Sequence, residues 1–248
     1  MLMHSVFPYL ITCLVLFIST FTRSALGFAD ALIAMPFLTM ALGLKTAAPL
    51  VALVATTSSF IIVIRHWHVV DLQAIWRVIV ALLLGIPFGL FGLYKVSEPL
   101  MQIILGVLLM LFSLSNLMRI RVVIPPDRLG LAYVFGFVAG VLGGAYNTVG
   151  PPLAIYGHLR RWSPEQFRAT LQGCFLPAYG CIVIGHGVAG LLTPRVLMLY
   201  GIALPLVGIA IKLGGKLNAA FPRDQFAHYI NVALFLIGLM LCIQSRAA

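Results

Sequence analysis

The sequence predicts an all-α polytopic membrane protein, built as two inverted repeats that each carry a broken, re-entrant helical hairpin plus three transmembrane helices. Three observations predict it. Apolar residues make up 62% of the chain and charged residues only 9%, where a water-soluble domain carries about 25% charged residues. Apolar runs follow one another with only short polar stretches between them. The runs also fall into two sets of five that break at matching places.

So few charges cannot clothe a surface in water, so lipid is the solvent for most of it. The helical segments are expected at 7–22, 31–43, 47–64, 73–94 and 100–118, then at 129–144, 149–158, 166–185, 195–213 and 226–244. The run from Phe7 to Phe21 has no basic segment before it, so it is read as a retained first helix. The polar stretch from Arg119 to Arg128, with Pro125 and Pro126, is the joint between a first repeat over 1–120 and a second over 121–248. Pro87 in GIPFG matches Pro205 in ALPLVG at an offset of 118, and Asp30 falls opposite Asn147 at 117.

The first two segments of each set look short. Segment 7–22 would rise about 24 Å and segment 31–43 about 20 Å, against a hydrocarbon core of about 30 Å. Each pair is therefore one broken helix or a hairpin that leaves by the side it entered. Charge chooses between them. The hairpin arrangement puts eleven cations on one side: Arg65, Arg77, Arg119, Arg121, Arg128, Arg160, Arg161, Arg168, Lys212, Lys216 and Arg223. It leaves four on the other: Lys45, Lys95, Arg195 and Arg246. The broken-helix arrangement splits them nearly evenly, and the positive-inside rule asks for an excess. The hairpin arrangement places both termini outside the cytoplasm. Trp67, Trp76 and Trp162 fall near the basic side, where indoles favour the interface.

The first break reads FTRSALGFADALIAMPF, Phe21 to Phe37. Gly27 lets the chain turn and Asp30 is placed to cap the next helix. The second reads GVLGGAYNTVGPPLAIYG, Gly140 to Gly157. There Gly143 and Gly144 loosen the chain, Asn147 or Thr148 caps, and Gly150, Pro151 and Pro152 start the next helix. The N-terminus of each returning helix carries unpaired amides and partial positive charge. Two such ends facing each other near the midplane would hold a small anion with few basic side chains. The competing reading is that the glycines only permit close helix packing.

Arg23 and Asp30 are the charges expected deepest in the membrane. They pair with each other, or Arg23 reaches the anion. Thr56, Thr57, Ser58 and Ser59 put four hydroxyls in mid-helix, able to line the site or to bond back to their own helix. Opposite them FRATLQGCF brings Thr170 and Gln172 to mid-depth, with Arg168 nearer the cytoplasmic end. His66, Trp67 and His68 form an interfacial triplet without partners for a metal, and His186 reads as isolated in a glycine-rich loop. Cys13, Cys174, Cys181 and Cys242 lie in apolar runs without metal-ligand spacing. Net charge is +10, but the cations sit in loops between spans rather than on a soluble face, so nucleic acid is not the expected partner. No cofactor is expected, and no catalytic triad or carboxylate pair points to an enzyme.

GFADALIAMPF, and GGAYNTVGPPLAIYG followed by WSPEQFRATLQG, resemble the two signature regions of the TauE/SafE sulfite-exporter family, also called TSUP. The similarity runs through both halves and is most specific from Gly143 to Gly173. It implies a bacterial inner-membrane permease for sulfur-containing anions such as sulfite and sulfonates. The family's functional region maps to Gly27, Ala31 and Pro36, and to Gly144, Asn147, Gly150, Pro151, Pro152, Arg168, Thr170 and Gln172. The sequence departs at Ala29 and Asp30, where related proteins more often have Gly and an apolar residue. An acid there repels an anion unless Arg23 neutralises it, or else binds a proton and couples transport. The expectation is a secondary transporter working by alternating access, with a homodimer compatible with the sequence. An anion channel and a non-transporting scaffold or assembly factor are the competing readings.

Overall fold

The structure, a computed structural model, describes residues 2–66, 68, 72–118, 129–160, 162–220 and 223–247. The described elements are helices: α1 Leu2–Leu26, α2 Asp30–Leu42, α3 Leu44–His66, α4 Leu72–Lys95, α5 Glu98–Leu117, α6 Leu129–Tyr146, α7 Gly150–Leu159, α8 Pro164–Val188, α9 Pro194–Ala220 and α10 Arg223–Ala247. Helices satisfy every backbone group within the segment, which hydrocarbon demands. Four of them, α3, α4, α8 and α9, are long and apolar enough to cross a membrane by length and composition. Their outward faces carry large apolar side chains in the open, such as Phe88 at 65% exposure and Val188 at 87%. Among the described residues, only Arg23 and Asp30 of the Arg, Lys, Asp and Glu side chains are buried. The chain is an all-α polytopic membrane protein.

One sequence expectation needs correcting. α1 is not short: its 25 residues rise about 38 Å. Polar residues near its start, His4 and Ser5, hide that length from a hydropathy reading. The joint at Pro125 and Pro126 lies outside the described residues, as do Arg119, Arg121, Arg128, Arg161 and Trp67.

Exchanging α1–α5 for α6–α10 reproduces the packing. α1 lies on α9 as α6 lies on α4, and α3 on α9 as α8 on α4. The pairs α3–α8 and α5–α10 are their own images. Both run antiparallel. Gly106 meets Gly238 and Cys242, whose thiol reaches back to Ile103. Along α3, Ser59 sits at the level of Gln172 of α8, while Ala48 sits beside the break that Tyr179 of α8 holds. Counterpart helices of opposite direction make the relation between the halves an inversion.

The short helices return. Phe135 early in α6 stacks near Tyr156 late in α7, with ring centroids 6.1 Å apart. α2 opens at Asp30 beside Arg23 and by Met35 has climbed to Asn147 of the second break. Each half therefore begins with a helix and a shorter one that packs back on it, α1 with α2 and α6 with α7. α8 is fixed at its start by a capping box, in which Ser163 accepts from the Gln166 amide and Gln166 accepts from the Ser163 amide.

Candidate functional site at the meeting of the two breaks

The two breaks adopt the same unusual backbone. Among the described residues, Ala29 (φ 83°) and Asn147 (φ 57°) are the non-glycine residues in the left-handed region, and Gly27 joins them at φ 94°. The breaks touch. A Cβ on Gly150 would stand 3.0 Å from Cβ of Phe28. Phe28 lies between α1 and α2 and Gly150 opens α7, so the two breaks lie against each other.

α8 holds both. Gln172 Nε2 donates to the Gly27 carbonyl at 2.8 Å. Tyr179 donates its hydroxyl to the Asn147 carbonyl at 2.9 Å. Seven residues, or two turns, separate these side chains, so they share one face about 10 Å apart. Between them lies Arg23, wholly buried. Its guanidinium carbon is 5.0 Å from the Phe175 ring centroid and 5.2 Å from that of Tyr179. Its Nε and Nη2 donate to Gln172 Oε1 at 3.3 and 2.9 Å. Nη2 also donates to Ser59, and Nη1 forms an ion pair with Asp30. A buried cation is costly unless paired and hydrogen-bonded. Here a carboxylate, an amide, a hydroxyl and two aromatic faces from α2, α3 and α8 share that burden.

The expected site residues sort differently around this centre. Gln172, Gly27, Asp30 and Arg23 come together. Asp30 is not the cap of α2, because Ala29 occupies that position and no side chain caps it. Asp30 is instead the first helical residue, and its carboxylate turns to Arg23. Of the four hydroxyls on α3, Thr56, Thr57 and Ser58 bond back to the carbonyls of Ala52, Leu53 and Val54. Thr57 also meets Tyr200 on α9 at 2.6 Å. Only Ser59 of the run reaches the centre, because adjacent helical residues point about 100° apart.

At the second break neither expected cap forms. Thr148 bonds to the Tyr146 carbonyl, and the Asn147 amide donates to the Ala48 carbonyl at 2.9 Å. Asn147 Oδ1 is buried and has no protein partner. Gly143 and Gly144 do not loosen the chain; they are helical within α6. Gly144 lies against α4, where a Cβ would come within 2.4 Å of the Ile86 carbonyl. Gly85, Gly89 and Gly140 continue that seam, so close packing describes these glycines. Thr170 is buried in α8, and Arg168 reaches the Ser24 carbonyl at 3.0 Å while its side chain lies over Gly27. His186 is not in a loop but in the last turn of α8, buried, with Nδ1 3.1 Å from the Tyr94 hydroxyl. No group of His, Cys, Asp or Glu among the described residues is arranged to hold a metal, and the four cysteines are free thiols.

The amide-rich ends are unequal. In α2 the first intrahelical bond recorded at the start is from Ile33 to Ala29, so the amides of Asp30, Ala31 and Leu32 precede the ladder. In α7, Pro151 and Pro152 have no amide hydrogen to offer. The first break therefore leaves more amides ahead of its helix than the prolines allow at the second. Sequence reasoning missed Phe175 and Tyr179, although they fall at i+3 and i+7 from Gln172. It also missed a pocket of about 490 Å³ lined by Arg65 of α3 and by Ile211, Lys212, Gly215 and Lys216 of α9. Its wall is next to the centre: the Ile211 carbonyl accepts from Ser24, the neighbour of Arg23, at 2.8 Å.

The sequence model of the family described as Sulfite exporter TauE/SafE matches residues 12–241. The chain belongs to this TauE/SafE family. The match takes in both breaks, α8 and the Arg23 centre. The chain is also similar to the probable sulfite/organosulfonate exporter TauE of Cupriavidus necator, with 25% identity over 235 residues, 92% of this chain and 91% of that one. No solved structure matches it.

Proposed function

We propose that the chain is a secondary transporter for a small sulfur-containing anion, sulfite or an organosulfonate, working by alternating access in a bacterial inner membrane. Family membership and the name of its relative supply the substrate class. The observation that carries the reading is the position of Arg23, a wholly buried guanidinium where the two breaks meet. An ionisable group inside a membrane is expensive and marks a path or a relay. The first-turn amides of α2 and the fork of Arg23 offer a sulfonate or sulfite group oriented N–H donors. The two repeats, 1–120 and 121–248, interleave around this point and contribute equivalent helices to it, with both termini periplasmic.

The basic pocket between α3 and α9 is the cytoplasmic approach. Arg65, Lys212 and Lys216 concentrate anions there, and its inner wall adjoins Ser24. The purified protein in liposomes tests the reading. Uptake of labelled sulfite should saturate, and unlabelled sulfite inside should accelerate it by counterflow. Flux that neither saturates nor shows counterflow indicates a pore. No flux under any gradient removes transport as the function.

A further inference from the structure

Resting on that reading, we infer that Asp30 is an internal stand-in for the substrate anion, and that each monoanion transported displaces its carboxylate from Arg23 and carries one proton taken up on Asp30. Two features of the first break suit an oxyanion: the first-turn amides of α2 and the Arg23 guanidinium. Asp30 occupies the second and stands beside the first. It is the first residue of α2, and its carboxylate is ion-paired to Nη1 of Arg23. With 7% of its surface exposed, it has no bulk water to turn to.

Charge balance then sets the stoichiometry. The centre holds one cation and one anion, so it is neutral. A substrate anion on Arg23 would leave a second negative charge in the same buried space. An uncompensated buried charge is costly, and a buried carboxyl relieves that cost by becoming neutral. One proton from water on the loading side forms the O–H bond of the Asp30 carboxylic acid, and no other bond changes. On release, Asp30 returns that proton to water on the far side and closes on Arg23 again.

Among the described residues, no other carboxylate stands at this centre. From α1 comes Arg23, which stays charged. From α3 comes the Ser59 hydroxyl, with Lys45 and Arg65 confined to that helix's ends. From α8 come Tyr179, whose hydroxyl is donated to the Asn147 carbonyl, and Arg168, which lies over Gly27 and donates to the Ser24 carbonyl. The described side chains of α10, 229 and 231–243, carry no charge. Ser59 and Gln172 remain on the guanidinium when Asp30 leaves, so Arg23 keeps its place.

The probe is isethionate, a sulfonate that stays ionised across neutral pH and has no acidic proton of its own. In wild-type proteoliposomes an inward isethionate gradient should acidify the lumen, one proton per anion, and an imposed inward proton gradient should drive isethionate accumulation. In Asp30→Asn, any isethionate movement that remains should not respond to an imposed pH gradient, and pH-driven accumulation by that variant overturns the inference. Wild-type flux without lumen acidification overturns the coupling and leaves the transport reading standing. Absence of any wild-type flux overturns both. Should Asp30→Asn fail to insert, calorimetric binding of isethionate to wild type in buffers of different protonation heat decides. Uptake of one proton per isethionate bound, with binding that weakens as pH rises, supports the inference. Zero uptake and a pH-independent Kd overturn it.

Discussion

Gln172 and Tyr179 stand two turns apart on one face of α8, and each holds the carbonyl of a different break: Gly27 at 2.8 Å and Asn147 at 2.9 Å. One helix thereby sets the spacing of two hairpins that come from different halves of the chain. Arg23 lies against the same face and also bonds to Gln172, so support for the breaks and support for the buried cation share a residue. A movement of α8 relative to α1 and α6 must loosen all of these together.

Gln172→Leu removes a donor to Gly27 and an acceptor for Arg23 at once. Leaving buried polar groups unsatisfied costs about 1–3 kcal/mol each. The expected result is a lower melting temperature and at least a tenfold loss of sulfite uptake in proteoliposomes. Uptake at the wild-type rate would detach Gln172 from the site.

Tyr179→Phe keeps the ring beside Arg23 and removes one hydrogen bond, worth about 1 kcal/mol. Its effect on uptake should be smaller than that of Gln172→Leu, with melting lowered by less. A larger loss would mean that the hydroxyl acts on substrate.

Gly144→Ala tests packing against binding. The added methyl meets backbone of α4 at 2.4 Å, and overpacking of this kind costs typically 1–3 kcal/mol. Thermal stability should fall while the KM of the folded fraction stays unchanged. A raised KM with normal stability would place Gly144 at the substrate instead.

Lys212→Gln together with Lys216→Gln should raise the KM for substrate presented from the cytoplasmic side several-fold at low ionic strength. Salt screens such steering, with a Debye length of about 10 Å at 0.1 M, so the difference should shrink as salt is added. Equal KM values at all ionic strengths would remove the pocket from the path.

Much of this architecture was legible in the sequence. The ten helices, the two breaks, and Arg23, Asp30 and Gln172 as buried polar residues all follow from where apolar runs stop and where charge falls inside them. The rest required three dimensions. Thr56 to Ser59 are consecutive, so they fan around α3, and composition alone does not say that Ser59 is the one facing Arg23. Phe175 and Tyr179 look like ordinary apolar filling until Gln172 fixes which stripe of α8 points inward. His186 reads as a loop residue because glycines flank it, yet lipid-buried helices tolerate glycine and α8 continues past it. The pocket is formed by residues nearly 150 positions apart, Arg65 and Lys212, which no local pattern joins.

The central claim is that the two breaks meet at the transport site and must part for substrate to pass. Phe28→Cys with Gly150→Cys, in protein whose four native cysteines are replaced by alanine, tests it most directly. Mild oxidation should form a disulfide within one chain, stop sulfite uptake, and release it again on reduction. Failure of the two thiols to link, or full uptake with the link in place, would contradict the account.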